Sequence, residues 1–324
     1  MKYQILTYVL FVMGFVVLIT GANMLIDGSV SIARKSRISN IVIGLTIVAF
    51  GTSAPEFIVT IFATMQGNTE IAIGNILGSN IANILLVLGI SAIIYPITVN
   101  RNTVLKEIPF SLLAALLLGV LANDVLFKRN GPSVLTMIDG IIFLLFLAGF
   151  IYYTLRISRL KEDVPENNNN LKEFSYFKSF SFIIIGLLGL VLGGKWIVDG
   201  AVEIAGFFNV SQSFIGLTVI AIGTSLPELA TSAVAAVKKQ SDIAIGNVVG
   251  SNVMNILWIL GFNALIHPIP LNPASNIDIL MTIFASLILL LTMYMSKRHV
   301  VERWEGILML VIYIGYIIFL IMNR

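Results

Sequence analysis

Long apolar runs separated by short polar turns dominate the chain. A run of about 20 apolar residues forms a helix that can cross the bilayer core of about 30 Å. We predict ten such helices, at residues 5–33, 40–65, 71–97, 108–127, 134–155, 179–206, 213–237, 243–267, 277–295 and 304–322. Pro55 and Pro227 interrupt the second and seventh runs, so broken helices are expected there. The pattern predicts an all-α membrane protein with ten transmembrane helices.

Composition agrees with this fold class. Hydrophobic residues make up 57% of the 324 residues and charged residues only 11%, whereas soluble domains carry about 25% charged residues. This excludes a soluble enzyme, a disordered chain and a nucleic-acid binder. The chain has no cysteine and two histidines, which excludes disulfides, cysteine-ligated zinc and iron–sulfur clusters. We therefore expect no cofactor.

The basic residues divide unevenly between the two sets of loops. One set carries 15 lysines and arginines and the opposite set carries 4. The positive-inside rule places the richer set in the cytoplasm and both termini outside the cell membrane. An asparagine-rich stretch is predicted to be a cytoplasmic linker at residues 158–176, between a first unit at 1–157 and a second at 177–324. The lipid bilayer is the expected partner, and no obligate protein partner is evident.

The two units contain an internal repeat. Residues 43–60 match 215–232, and residues 71–89 match 243–261, both at an offset of 172. Each unit holds five predicted spans, an odd number, so the second unit is expected to be inverted relative to the first. Two inverted-topology five-helix repeats are typical of secondary transporters, which bind their substrates near the membrane midplane at the repeat interface.

Candidate chemistry lies at the matched positions. Glu56 and Glu228 fall in the middle of apolar spans, where a carboxylate costs at least about 2.5–3.5 kcal/mol. Two such residues in matching motifs indicate one site. Hydroxyl and amide side chains recur with them at helical spacing: Thr52, Ser53, Ser79 and Asn83 in the first unit, and Thr224, Ser225, Ser251 and Asn255 in the second.

Two further groups complete the candidate set. The proline breaks are expected to free backbone carbonyls near Ala49 and Ala221, which become candidate ligands. For four other asparagines a role as polar links between helices is at least as plausible as ligation: Asn75, Asn80, Asn247 and Asn252.

This candidate site offers only oxygen ligands, the set that hard cations prefer. Ca²⁺ takes six to eight oxygens in flexible geometry, and Na⁺ is close to it in size. Two ionised glutamates carry a charge of −2, which one Ca²⁺ or about two Na⁺ would neutralise. Ca²⁺ and Na⁺ are therefore expected to compete for the same site.

Both GTS-x-PE motifs and both GN-x-x-GSN-x-x-N motifs resemble the repeats of the calcium/cation antiporter superfamily, especially prokaryotic sodium/calcium exchangers. The resemblance covers essentially all ten spans. It implies exchange of cytoplasmic Ca²⁺ for external Na⁺, with three Na⁺ per Ca²⁺. It also implies a set of ion ligands: Thr52, Ser53, Glu56, Ser79, Asn83, Thr224, Ser225, Glu228, Ser251 and Asn255, with the backbone oxygens of Ala49 and Ala221 for Na⁺.

One departure from the pattern is informative. Several relatives, including potassium-dependent ones, have Asp where this chain has Asn255, which argues against potassium co-transport. Proton-coupled cation antiport stays open as an alternative because a desolvated glutamate can titrate. A passive channel is less favoured. An intramembrane hydrolase is rejected because neither Ser53 nor Ser225 has a His or Lys base in its motif.

Overall fold

The computed structural model describes residues 2–101, 103–123, 133–158, 174–207, 221–295 and 299–323. The helices are α1 (Lys2–Lys35), α2 (Asn40–Thr52), α3 (Ala54–Met65), α4 (Thr69–Ile94), α5 (Thr103–Leu121), α6 (Met137–Ser158), α7 (Tyr176–Phe207), α8 (Ala221–Thr224), α9 (Leu226–Val237), α10 (Ser241–Ile266), α11 (Ser275–Met295) and α12 (Arg303–Asn323). Four strands of two residues each complete the described structure: β1 (Ile97–Thr98), β2 (Val134–Leu135), β3 (Ile269–Pro270) and β4 (Val300–Val301).

The described helices form a multi-pass membrane protein. Eight of them are long and apolar enough to cross a membrane, and α2 with α3 forms a ninth span bent by 43°. The short helices α8 and α9 are the described parts of the predicted span 213–237. Residues 208–220 and 159–173 lie outside the described residues, so the beginning of that span and the linker stay predictions.

Both helix breaks occur at a serine two residues before the proline. Ser53 has φ −79° and ψ 4°, and Ser225 has φ −85° and ψ 4°, so each leaves helical geometry at the same point. Pro55 and Pro227 then lie in the first turns of α3 and α9. A proline is tolerated there because the N–H that it lacks would have no partner within the helix.

The two longest helices, α1 and α7, pack along each other. A Cβ atom built on Gly21 would lie 2.8 Å from the carbonyl oxygen of Gly186, and one on Gly14 would lie 2.9 Å from that of Gly193. Only glycine permits such close backbone contact. Because the lower number in α1 meets the higher number in α7, the two helices run antiparallel.

The centre of the molecule is formed by α4 and α10. Within their most apolar windows, 78% of the residues of α4 and 94% of those of α10 are buried, against 22–44% for the other six long helices. These two helices carry the GN-x-x-GSN-x-x-N motifs. The two motifs are therefore shielded from lipid by the remaining helices.

The short strands were not predicted from the sequence. Ile97 in β1 pairs with Val301 in β4, and Ile269 in β3 pairs with Leu135 in β2. Ile97 and Ile269 are related by the offset of 172. Each ladder joins a segment of one unit to a segment of the other, so the repeat is visible in tertiary contacts as well as in sequence.

Close approach of α10 to α2 depends on Gly246 and Gly250. A Cβ atom on Gly250 would lie 2.7 Å from the Cβ of Ala49 and 2.8 Å from the Cα of Leu45. The two helix backbones therefore approach each other closely in this half. At the matching glycines Gly74 and Gly78, no atom of another described element lies within 4 Å of an added Cβ.

Gly250→Ala is expected to lower the free energy of unfolding by about 1–3 kcal/mol, the usual cost of inserting a methyl group into packed structure. The neighbouring atoms include backbone, which cannot rotate away. Thermal unfolding in detergent measures the effect. Gly315→Ala is the matched control, because no described atom lies within 4 Å of its added Cβ. Equal thermal unfolding midpoints for Gly250→Ala and Gly315→Ala would show that the packing of α10 against α2 does not require a glycine at position 250.

Candidate cation site

The two candidate carboxylates occupy equivalent places in the structure. Glu56 lies in the first turn of α3 and Glu228 in the first turn of α9, each three residues after its broken-helix serine. Both side chains are completely buried. A helix N-terminus carries a partial positive charge and favours a carboxylate nearby, which offsets part of the cost of burying each one.

Serine hydroxyls connect the two carboxylates into one cluster. Ser79 donates to Glu56 Oε1 at 3.4 Å, and Ser251 donates to Glu228 Oε1 at 3.5 Å. Ser53, from the first unit, also donates to Glu228 Oε1, at 3.3 Å.

The equivalent serine of the second unit reaches back across the repeat interface. Ser225 donates to Ser79 Oγ at 3.2 Å. Candidate residues from both units therefore meet in a single buried cluster, at the interface between the two repeats.

The threonines link each broken helix to the opposite unit. Thr52 Oγ1 donates to Asn247 Oδ1 at 3.0 Å, and Thr224 Oγ1 donates to Asn75 Oδ1 at 3.1 Å. Asn75 Nδ2 in turn donates to Thr60 Oγ1 at 3.1 Å.

The bond from Asn247 to Ser232 repeats this arrangement in the second unit, at 2.9 Å. Asn75 and Asn247 thus each join the broken helices of both units. The expectation that they act as polar links agrees with these contacts.

Four oxygen atoms in the cluster receive no hydrogen bond from any described residue. They are Glu56 Oε2, Glu228 Oε2, Asn83 Oδ1 and Asn255 Oδ1. All four side chains are completely buried. A buried acceptor without a donor costs about 1–3 kcal/mol. Two carboxylates and two amide oxygens that lack donors make a set of ligands suited to a hard cation.

The backbone at Ala49 differs from the expectation that its carbonyl is freed. Ser53 N–H donates to the Ala49 carbonyl at 3.0 Å. The reason is the position of the proline: Pro55 lacks the N–H that would serve the carbonyl four residues earlier, which belongs to Gly51. The Thr52 hydroxyl also donates to this carbonyl, at 3.4 Å, so the Ala49 carbonyl has two donors in this structure. The side chain of Ala221 lies outside the described part of the chain.

Among the described residues, no group of three or more His, Cys, Asp or Glu side chains lies close enough together to hold a metal ion.

An ion pair outside the cluster could not be predicted from the sequence. Lys238, after the end of α9, donates to Asp27 Oδ1 of α1 at 2.6 Å and to the carbonyl of Asn23 at 3.3 Å. The partners are 211 positions apart, and the repeat gives no signal for the pair, because the matching residues are Gln66 and Asp199.

Known proteins resemble the chain over nearly its whole length. The family described as sodium/calcium exchanger protein matches residues 6–156 and 178–322. The uncharacterized membrane protein MJ0091 of Methanocaldococcus jannaschii is 38% identical, with 94% of each chain covered. The sodium/calcium exchanger MaX1 of Methanosarcina acetivorans is 29% identical, covering 97% of this chain and 98% of that protein.

Solved structures agree with these relatives. The sodium-calcium exchanger NCX_Mj, soaked with 2.5 mM Na⁺ and 0.1 mM Ca²⁺, superposes with a TM-score of 0.82 at 36% identity. The superposition covers 97% of this chain and 98% of that one.

The fold is that of a multi-pass membrane transporter. The chain belongs to the sodium/calcium exchanger family. Family and structural likeness support exchange of cations including Ca²⁺, and the family implies Ca²⁺ and Na⁺ as substrates.

Proposed function

We propose that the chain is a secondary active antiporter that exchanges Ca²⁺ for Na⁺ by alternating access, electrogenically and without potassium. The observation that carries the proposal is the buried cluster, in which each repeat contributes one carboxylate oxygen and one amide oxygen without a donor. The ion ligands are the twelve residues named from the sequence: Ala49, Thr52, Ser53, Glu56, Ser79, Asn83, Ala221, Thr224, Ser225, Glu228, Ser251 and Asn255.

Unequal packing of the two repeats supports alternating access. Helix α1 packs along α9, and the ion pair between Lys238 and Asp27 lies at this contact. The repeat relates this pair of helices to α7 and α3, whose described residues make no comparable contact. A cavity that is closed at one end and open at the other is expected from this asymmetry. If α7 instead packed along α3 while α1 separated from α9, the cluster would open to the opposite side of the membrane.

The topology of the proposed antiporter follows the positive-inside rule. Ten spans form two inverted repeats at residues 1–157 and 177–324, joined by a cytoplasmic linker at 158–176, with broken helices at the midplane and both termini outside the cell. The antiparallel packing of α1 and α7, which begin the two repeats, supports the inversion. No cofactor and no obligate protein partner are needed for this activity.

Uptake of calcium-45 into proteoliposomes tests the proposed coupling. An outwardly directed Na⁺ gradient is expected to drive Ca²⁺ uptake, because Ca²⁺ and Na⁺ compete for the same oxygens. A pH gradient of equal size without Na⁺ is expected to drive none. Uptake driven by the pH gradient alone would identify a proton-coupled antiporter. Equilibration of Ca²⁺ without either gradient would identify a passive channel.

The same assay tests independence from potassium. The neutral amide of Asn255 leaves two carboxylates at the centre and no third charge to hold an additional cation. Uptake in buffer free of K⁺ is therefore expected to equal uptake with K⁺ present. An absolute requirement for K⁺ would show that the interpretation of Asn255 is wrong.

A further inference from the structure

Two asparagines that are not among the proposed ligands form a reciprocal contact between α4 and α10. Asn80 Nδ2 donates to the backbone carbonyl of Asn252 at 3.4 Å, and Asn252 Nδ2 donates to the backbone carbonyl of Asn80 at 3.2 Å. Both side chains are buried. The two residues are related by the repeat offset of 172, so the same hydrogen bond from an asparagine side chain to a backbone carbonyl occurs once in each direction.

Each of these asparagines also bonds to a proposed ligand of the opposite repeat. Asn255 Nδ2 donates to Asn80 Oδ1 at 3.0 Å, and Asn83 Nδ2 donates to Asn252 Oδ1 at 3.0 Å. The amide nitrogen of each ligand is thereby occupied. Its oxygen, which receives no bond from the described residues, is left for a cation.

The direction of these bonds is fixed by the backbone. A carbonyl oxygen only accepts, so the end of the Asn252 amide that faces the Asn80 carbonyl must be its nitrogen. The other end is then the oxygen Oδ1, which requires a donor, and Asn83 must present Nδ2 to it. The same reasoning orients Asn255 through Asn80. Flipping the amide of either ligand would place its oxygen against the amide oxygen of Asn252 or Asn80.

We propose that Asn80 and Asn252 are positioning residues that hold the amides of Asn255 and Asn83 with their oxygens toward the transported cation. The inference rests on the proposed function, because it concerns the same site. Each repeat thereby orients one ligand of the other repeat. An unconstrained amide could turn its NH₂ group toward the ion, and an N–H donor repels a cation.

Asn80→Leu tests this role with little other change. Leucine keeps the approximate size of the side chain and removes the acceptor for Asn255. The bond from Asn252 Nδ2 to the carbonyl of residue 80 survives, since that carbonyl is backbone, so the orientation of Asn83 is preserved. The apparent affinity for Ca²⁺, measured by equilibrium binding of calcium-45 in detergent and by exchange in proteoliposomes, is expected to fall about 10- to 100-fold. Asn252→Leu is expected to act in the same way through Asn83.

Asn263→Leu is the matched control for loss of a buried asparagine. Asn263 is also buried in α10, and its Nδ2 donates to the carbonyl of Ile259 at 2.8 Å, within its own helix. The control variant is expected to keep the wild-type affinity for Ca²⁺. Thermal unfolding of all three variants shows whether a change of affinity is merely a loss of stability.

Double variants distinguish positioning from general stabilisation. In an Asn255→Ala background, adding Asn80→Leu is expected to change the affinity less than twofold, because the residue through which Asn80 acts is gone. In an Asn83→Ala background the same addition is expected to retain its full effect. Equal effects in the two backgrounds would overturn the proposal.

Wild-type affinity in Asn80→Leu would also overturn it, provided that the wild-type protein exchanges Ca²⁺. Failure of the wild-type protein to bind or exchange Ca²⁺ would instead refute the proposed function.

Discussion

Glu56→Gln and Glu228→Gln are each expected to reduce Na⁺-driven Ca²⁺ exchange at least about 100-fold. Either change preserves the shape of the side chain and removes half of the negative charge of the cluster. Both carboxylates are completely buried, so solvent cannot compensate for the loss of one negative charge next to the bound cation. Removing one partner of a buried charge pair costs about 3–5 kcal/mol, and each 1.4 kcal/mol corresponds to a factor of ten in affinity. Calcium-45 exchange in proteoliposomes measures the loss.

Glu70→Gln is the matched control for this chemical change. Glu70 lies in the first turn of α4, is exposed, and accepts a hydrogen bond from Asn272 at 2.9 Å. Its neutralisation is expected to leave exchange unchanged. Wild-type exchange in both Glu56→Gln and Glu228→Gln would remove these residues from the centre of the site. Loss of exchange in only one of them would show that the two repeats do not contribute equally.

The sequence was sufficient to predict the long helices that the structure describes and the two carboxylates that lie in one cluster. Apolar runs of membrane-spanning length predicted the long helices, and proline predicted both breaks, because these are local properties of the chain. The repeat then identified Glu56 with Glu228 as partners, since a buried carboxylate that occurs twice in the same motif points to an interface between repeats. The structure brings these two residues into one hydrogen-bonded cluster.

What the sequence could not supply depends on contacts between distant residues. Helix α5 begins at Thr103 rather than at the predicted residue 108. The charged residue Glu107 lies within this helix, where Tyr153 donates to its carboxylate at 2.8 Å and allows its burial.

Amide orientation is another property that needs the tertiary structure. The motif shows that Asn75, Asn80 and Asn83 are present, but only their partners across the interface show which amide atom of each faces which neighbour. The same limit applies to Lys238, whose partner Asp27 belongs to the other unit.

Charge accounting in the cluster predicts that exchange is electrogenic. With both glutamates ionised, one Ca²⁺ gives a neutral centre and two Na⁺ give the same. Neutral oxygens flank the carboxylates in both repeats, from Ser53, Ser79, Ser225 and Ser251, and they provide room for a third Na⁺. The sodium-loaded centre would then carry one positive charge. Family resemblance favours the same stoichiometry of three Na⁺ to one Ca²⁺.

One net positive charge is therefore expected to move in the direction of sodium during each cycle. Moving one charge through 100 mV corresponds to about 2.3 kcal/mol, or a factor of about 50 in the Ca²⁺ ratio at which net flux stops. An inside-negative potential is expected to favour extrusion of Ca²⁺ to that extent. Sodium-driven calcium-45 flux, with the potential set by valinomycin and several potassium gradients, measures the shift. If the reversal condition is the same at every potential, exchange is electroneutral with two Na⁺ per Ca²⁺, and the serine oxygens hold no third ion.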